Sequence, residues 1–392
     1  MLRVKFGEKN LTYKESNGKV VTVPRGTAHF LEHKMFEDEN GADMLTAFIK
    51  NGADANAFTG WDTTDYFFSG VSHFEDNLCL LLSMVSRSHF SKESVEKEKG
   101  IITEEQNSYL DDPMSVATNR AMRNMYEKLP FRYDLGGSAS TIKKITPGIL
   151  YKTHRLFYRP SNMVLSVCGN PESVFPERIM DMISDIFGTA ADPEPMPDFL
   201  FPDEADRVAR THSVIRRPVG IKGFCLSFKG PSNPHASALK LSKLGRLGSF
   251  VLDMLLSVSS DLREYLNESG LIVGGLSYYG NIQRSSSYTI IQGWSPDPKT
   301  VTKTILEAIE ETLKNGFDKE NLERCIKVAK SSALLDFDSA ESVAEIMISD
   351  NENGQNCFSR LHMYEEVTGE DCVKFLKKYL RPDRHTLVEL CP

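Results

Sequence analysis

No stretch of this 392-residue chain is apolar for long enough to cross a bilayer. The longest nearly apolar segment, Leu78 to Val85, falls far short of the roughly 20 residues that a spanning helix needs. Residues 1–25 lack the apolar heart of a signal peptide, so no membrane partner and a cytoplasmic location are expected. Basic runs are missing as well, and with a net charge of −8 and a pI near 5.7 there is no concentrated positive surface for phosphates, which excludes nucleic acid as a partner. None of the seven cysteines (Cys79, Cys168, Cys225, Cys325, Cys357, Cys372, Cys391) forms a Cys-x-x-Cys pair, and their number is odd. That pattern fits reduced thiols rather than a disulfide framework or a thiolate metal site. There is no low-complexity tract, and an apolar fraction of 40% with 26% charged residues sits near globular averages.

What is present is enough chain for two cores, so two domains of roughly 200 residues each are expected. The first half opens with strand character over 12–23, broken by Pro24 and Gly26, after which Thr27 can cap a helix over Ala28–Glu37. A helix over Asp43–Lys50, strands at Ala53–Thr59 and Thr63–Val71, and helices at Phe74–Ser88 and, capped by Ser91, Lys92–Tyr109 follow. Helices near 114–128 and 146–157 lead to a strand over Asn162–Gly169. Around 188–205 four prolines and no periodicity mark a linker. The second half repeats the order of elements: strand at 221–228, long helix at 236–267, strands at 272–279 and 286–293, helices at 298–315 and 318–340, closing strand at 385–391. The expected fold is therefore α+β, with two tandem, topologically similar domains over 1–187 and 207–392, joined by a linker over 188–206.

Chemistry concentrates at His29-Phe30-Leu31-Glu32-His33. Two imidazoles at i and i+4 stand one helical turn apart on one face, where both can reach the same ion, and Glu32 falls beside them as a candidate general base. This is the inverted form of the His-Glu-x-x-His helix of zinc peptidases. Two ordinary helix histidines with a solvated Glu32 would need no third donor, whereas a metal site requires one. The acidic run from Glu93 to Glu105 supplies candidates, among which Glu98 and Glu105 are seven residues apart and share a helix face. Glu93, Glu96 and Glu104 read as a solvated face.

Three blocks in this order and spacing resemble the pitrilysin, insulysin and mitochondrial processing peptidase family. They are Pro24 through Glu37, then Asn56-Ala57-Phe58-Thr59 with Thr63, Thr64 and Tyr66, then Glu98 through Glu105. The likeness is strongest to half-length bacterial processing-protease-like members. It implies one zinc ion per chain held by His29, His33 and Glu105, Glu32 as the base, and Glu98 as a carboxylate that orients the ligands. It also implies that Ala55–Thr59 is an edge strand to which a substrate peptide adds, with Asn56, Ala57 and Phe58 as substrate-binding residues. The implied function is a zinc metalloendopeptidase acting on oligopeptides, alone or with a homologous subunit or second copy. Relatives carry about another strand pair before the segment that begins here, so the first sheet is expected to be short of edge strands. They also carry an Arg four residues before, and a Tyr three residues after, the start of a Gly-Leu pair; here Leu266 and Val273 stand at those places around Gly270-Leu271. Arg263 and Tyr278 are the nearest substitutes, and without them a partner-dependent or non-catalytic subunit is the implied alternative.

Overall fold

The computed structural model describes residues 1–170, 172, 175–188 and 195–392. Its first half contains β1 (Leu2–Val4), β2 (Thr12–Lys14), β3 (Val20–Thr22), α1 (Thr27–Met35), α2 (Leu45–Lys50), β4 (Ala53–Thr59), β5 (Thr64–Gly70), α3 (Phe74–Ser86), α4 (Lys92–Asp111), α5 (Pro113–Met125), α6 (Ala139–Ile142), α7 (Pro147–Phe157), β6 (Met163–Leu165), α8 (Pro176–Phe187) and β7 (Asp198–Phe199). The second half contains β8 (His212–Arg216), β9 (Gly223–Gly230), α9 (Ala238–Leu256), α10 (Asp261–Glu268), β10 (Val273–Ile282), β11 (Ser287–Trp294), α11 (Pro298–Asn315), α12 (Lys319–Leu335), α13 (Ala340–Glu352), α14 (Ser359–Met363), α15 (Gly369–Tyr379) and β12 (His385–Cys391). No described helix is long and apolar enough to cross a membrane.

The chain divides into two compact α+β units. One comprises Met1–Ser108, Asp134–Phe201 and Phe337–Ile348; the other comprises Tyr109–Tyr133, Pro202–Asp336 and Ser349–Pro392. This departs from a linear division at 187 and 207, because α5 packs on β9 and β12 of the second unit. There Asn124 donates to Ser213 Oγ and Thr386 Oγ1, both at 3.0 Å. Of the expected linker over 188–206, residues 189–194 lie outside the described residues. Beyond them the chain is ordered by pairing: β7 adds to β2. Glu204 accepts the backbone N–H groups of Glu127, Lys128 and Leu129 at 2.8–2.9 Å. Burial opposes ionisation of that carboxyl, but these three donors and Lys229 outweigh it and hold its pKa down at about 2.

The first unit's sheet has the order β4-β5-β1-β6. A hairpin, β4–β5, supplies the edge; β1 lies antiparallel between β5 and β6, the last strand of this sheet, while β3, β2 and β7 form a second, three-stranded sheet. The second unit's sheet repeats that plan as β10-β11-β9-β12 and adds β8, which runs parallel to β12. The element repeat read from the sequence is thus a repeat of strand order. Each sheet buries its own core. In the first unit Phe6, Tyr13, Phe30, Phe48, Tyr66 and Phe157 are fully buried, each contributing about 1.5–3 kcal/mol by area. In the second, Phe224, Leu226, Val251, Leu266, Ile305 and Leu376 fill the equivalent space.

Three local expectations change. The segment 12–23 is two short strands with a turn at Gly18 (φ 85°), not one strand. Gly26 rather than Thr27 is the N-cap of α1, because entry to the helix needs φ 87°, and the Thr27 hydroxyl bonds Pro24 O instead. The long helix at 236–267 is broken into α9 and α10, because the Ser260 hydroxyl accepts the Arg263 N–H and starts a new helix.

Candidate metal centre

Two helices build the site. At the entry to α1, Gly26 and Gly137 pass so closely that a Cβ on Gly26 would stand 2.5 Å from Gly136 O. Glu8, fully buried, accepts the Gly26 N–H at 2.6 Å and takes the place of the side-chain cap that glycine cannot offer. Burial pushes the Glu8 carboxyl well above its usual range. At the other end of α1, Lys34 is buried and bonds both Glu37 and Ser94, while the Ser94 hydroxyl donates to Glu37 at 2.6 Å. Helix α4 begins where the Ser91 hydroxyl accepts the Ser94 N–H at 3.1 Å, so one serine pair both caps α4 and ties it to α1.

Between these anchors the donors converge. His29 Nε2 lies 3.6 Å, and His33 Nε2 3.3 Å, from the same oxygen, Glu105 Oε2. The three ligand atoms are all within 4.8 Å of one another. A tetrahedral ion with bonds of about 2.0–2.1 Å sets its ligands roughly 3.4 Å apart, so the cluster fits a zinc-sized ion with side-chain adjustments only. Glu98 Oε1 sits 2.9 Å from the other nitrogen of His33, Nδ1. Two carboxylates thus flank one imidazole.

The electrostatics follow from that placement. Burial, reinforced by the neighbouring His33, lowers His29 to a pKa of about 4, so its ring is a neutral donor near pH 7. Burial works against a charge on His33 too, but hydrogen bonds to Glu105 and Glu98 prevail and raise it to about 9. The two carboxylates beside His33 thus favour a positive charge at this place. Glu32, on the same helix, accepts a hydrogen bond from the Thr59 hydroxyl at the end of β4. Burial raises the Glu32 carboxyl above its ordinary range, and the Thr59 bond only partly opposes this.

The other sequence candidates are spread along the edge strand. Phe58 is 42% exposed with its ring 6.3 Å from that of Phe67. Asn56 is exposed, and its Oδ1 accepts the Ala57 N–H at 2.8 Å; Ala57 is half-buried. Glu93, Glu96 and Glu104 are exposed, in keeping with a solvated face. In the second unit Leu266 is fully buried and Val273 is exposed, and neither side chain can donate a hydrogen bond. The Tyr278 hydroxyl donates to Asp253 at 2.9 Å, and the buried Arg263 reaches Gly274 O at 3.4 Å. Sequence reasoning missed Glu8, Lys34 and Ser94. Their only sequence signal is a charged residue directly after the motif: Ser94 lies 60 positions from Lys34, and Glu8 lies 18 from Gly26.

Comparison with known proteins gives matches along most of the chain. Residues 23–138 match the family model of insulinase, peptidase family M16, and residues 144–328 match that of the peptidase M16 inactive domain. The uncharacterized zinc protease YmfH of Bacillus subtilis is 31% identical over 384 residues, 95% of this chain and 86% of the relative. The zinc protease PqqE of Helicobacter pylori is 22% identical over 98% of this chain and 87% of its own length. Among solved structures, an M16-like peptidase of Alicyclobacillus acidocaldarius superposes with a TM-score of 0.91 at 26% identity, covering 100% of this chain and 92% of that one.

Proposed function

The chain belongs to the insulinase family of peptidases, M16, and from that premise we propose that it is a zinc metalloendopeptidase cutting oligopeptides. The observation that carries the proposal is the convergence of His29, His33 and Glu105 within 4.8 Å, with Glu32 on the same helix. In this reading those three residues hold the zinc, and Glu98 steadies His33 through its second ring nitrogen. Zinc there supplies a Lewis acid that polarises the scissile carbonyl and makes water acidic enough to attack near pH 7. Glu32 takes the proton of the attacking water and returns it to the leaving amine, a task suited to a carboxyl whose affinity for protons burial has raised. Asn56, Ala57 and Phe58 on the edge strand β4 receive the substrate as an added strand. A cytoplasmic setting is part of the proposal and is supported by seven cysteines that are all unpaired.

The test is metal analysis of the purified chain alongside a quenched-peptide assay of the parent and Glu32→Gln. The variant is expected to lose at least about a hundredfold in hydrolysis while keeping its zinc, since the residue moves protons and is not a ligand. Loss of the metal from that variant would make Glu32 a ligand and end this mechanism.

A second reading is favoured by one specific feature. With Leu266 and Val273 at the places discussed above and the Tyr278 hydroxyl committed to Asp253, the second unit presents no free donor pair in that stretch for a developing oxyanion. The chain would then bring the metal and the base to a heterodimer, and a homologous subunit would bring the missing donors.

A further inference from the structure

We propose that Thr59 is the positioning residue of the general base, donating from its hydroxyl a hydrogen bond that fixes the Glu32 carboxylate beside the end of β4. The inference rests on the reading of Glu32 as the base. Helix α1 by itself leaves the Glu32 side chain free to rotate about three bonds. A base that must meet one water in one direction needs that freedom removed. The Thr59 hydroxyl donates to Glu32 Oε2. Among the described residues no other hydrogen bond reaches it.

The pairing register locates the contact. Among the described residues, strand β4 is the last in its sheet and pairs on one side, with β5. The Gly60 N–H bonds Thr63 O, so with the antiparallel period of two the N–H groups of Thr59 and Ala57 face the unpaired edge. The Ala57 N–H meets the Asn56 side chain there, and the Thr59 hydroxyl holds the base beside position 59. A peptide adding to β4 displaces Asn56, pairs at Ala57, and ends its main-chain pairing against Glu32. The β-branched threonine suits the task, since the strand restricts its χ1 and so aims the hydroxyl.

Thr59→Val keeps the shape and removes the hydroxyl; Thr59→Ser keeps the donor. In the zinc-loaded chain, Val is expected to lower kcat by roughly 10–100-fold, the usual effect of losing a partner that orients a working group, with KM and zinc content within about twofold of the parent. Ser should restore most of kcat. A Val variant with parental kcat, or one that raises KM alone, would overturn the proposal. An activity-independent measurement separates it from the function itself: the difference infrared spectrum of parent minus Glu32→Gln isolates the Glu32 carboxyl band. That band should move in Thr59→Val and return in Thr59→Ser, and an unmoved band would also overturn the proposal. A moved band in a chain that hydrolyses no peptide would uphold the Thr59 contact and sink the assignment of Glu32 as base.

Discussion

His33 receives a carboxylate at each ring nitrogen, Glu98 at Nδ1 and Glu105 at Nε2, and the two contacts have different consequences. Only Nε2 shares its oxygen with His29, so only Glu105 stands where a third ligand is needed. Glu98, buried, bonds His33 at Nδ1 and stands outside the group of three converging donors. Under the proposed function, Glu105→Gln should strip zinc from the chain outright. Glu98→Gln should weaken zinc binding by roughly 10–100-fold, because it removes the acceptor that keeps the imidazole oriented and electron-rich. Competition against a chromogenic chelator measures both. Zinc retained by Glu105→Gln and lost from Glu98→Gln would reverse the two roles.

The geometry of the site is a matter of how α1 and α4 are held against each other, since α1 carries two of the three converging donors and α4 the third. Their tie is the buried group of Lys34, Glu37 and Ser94, one turn beyond His33 and one turn before Glu98. Lys34→Ala removes the buried cation bonded to the half-buried Glu37 carboxylate, a change expected to cost about 1–3 kcal/mol. The effect should be local, so hydrogen exchange is the fitting probe: amides of α1 are expected to exchange roughly a hundredfold faster, with those of the second unit unaltered. Exchange rates within about threefold of the parent would show that the helices are held by their apolar contacts and that the lysine is incidental.

At the scale of the whole molecule the question is whether one chain is a complete enzyme. The first unit carries every candidate for metal and base, and the second contributes a sheet of the same strand order without the histidine motif. If a homologous subunit completes the site, mixing the purified chain with one that has the Arg and Tyr should raise kcat by about a hundredfold or more, the usual effect of an oxyanion donor. Full activity of the isolated chain, unchanged by dilution, would refute the division of labour and direct attention to Arg263, which is buried and reaches Gly274 O.

The sequence by itself determined the elements whose signals are local. The i, i+4 histidines and the two-turn spacing of Glu98 and Glu105 are properties of a helix, and the β4–β5 hairpin follows from alternation around Gly60-Trp61-Asp62. Ser91 is legible as a cap because its partner lies three residues away. Tertiary structure decided what depends on partners far along the chain. Gly26 is the N-cap because Gly136 and Gly137 leave no room for a Cβ and Glu8 accepts its N–H, and Lys34 is buried because Ser94 and Glu37 receive it. Helix α5 joins the second unit because β9 and β12 offer it a face. The convergence of His29, His33 and Glu105 belongs to the same class. Helical periodicity puts each donor on the correct side of its own helix, but only packing sets the distance between helices, and at about 3.4 Å between ligands that distance decides whether a metal can be held.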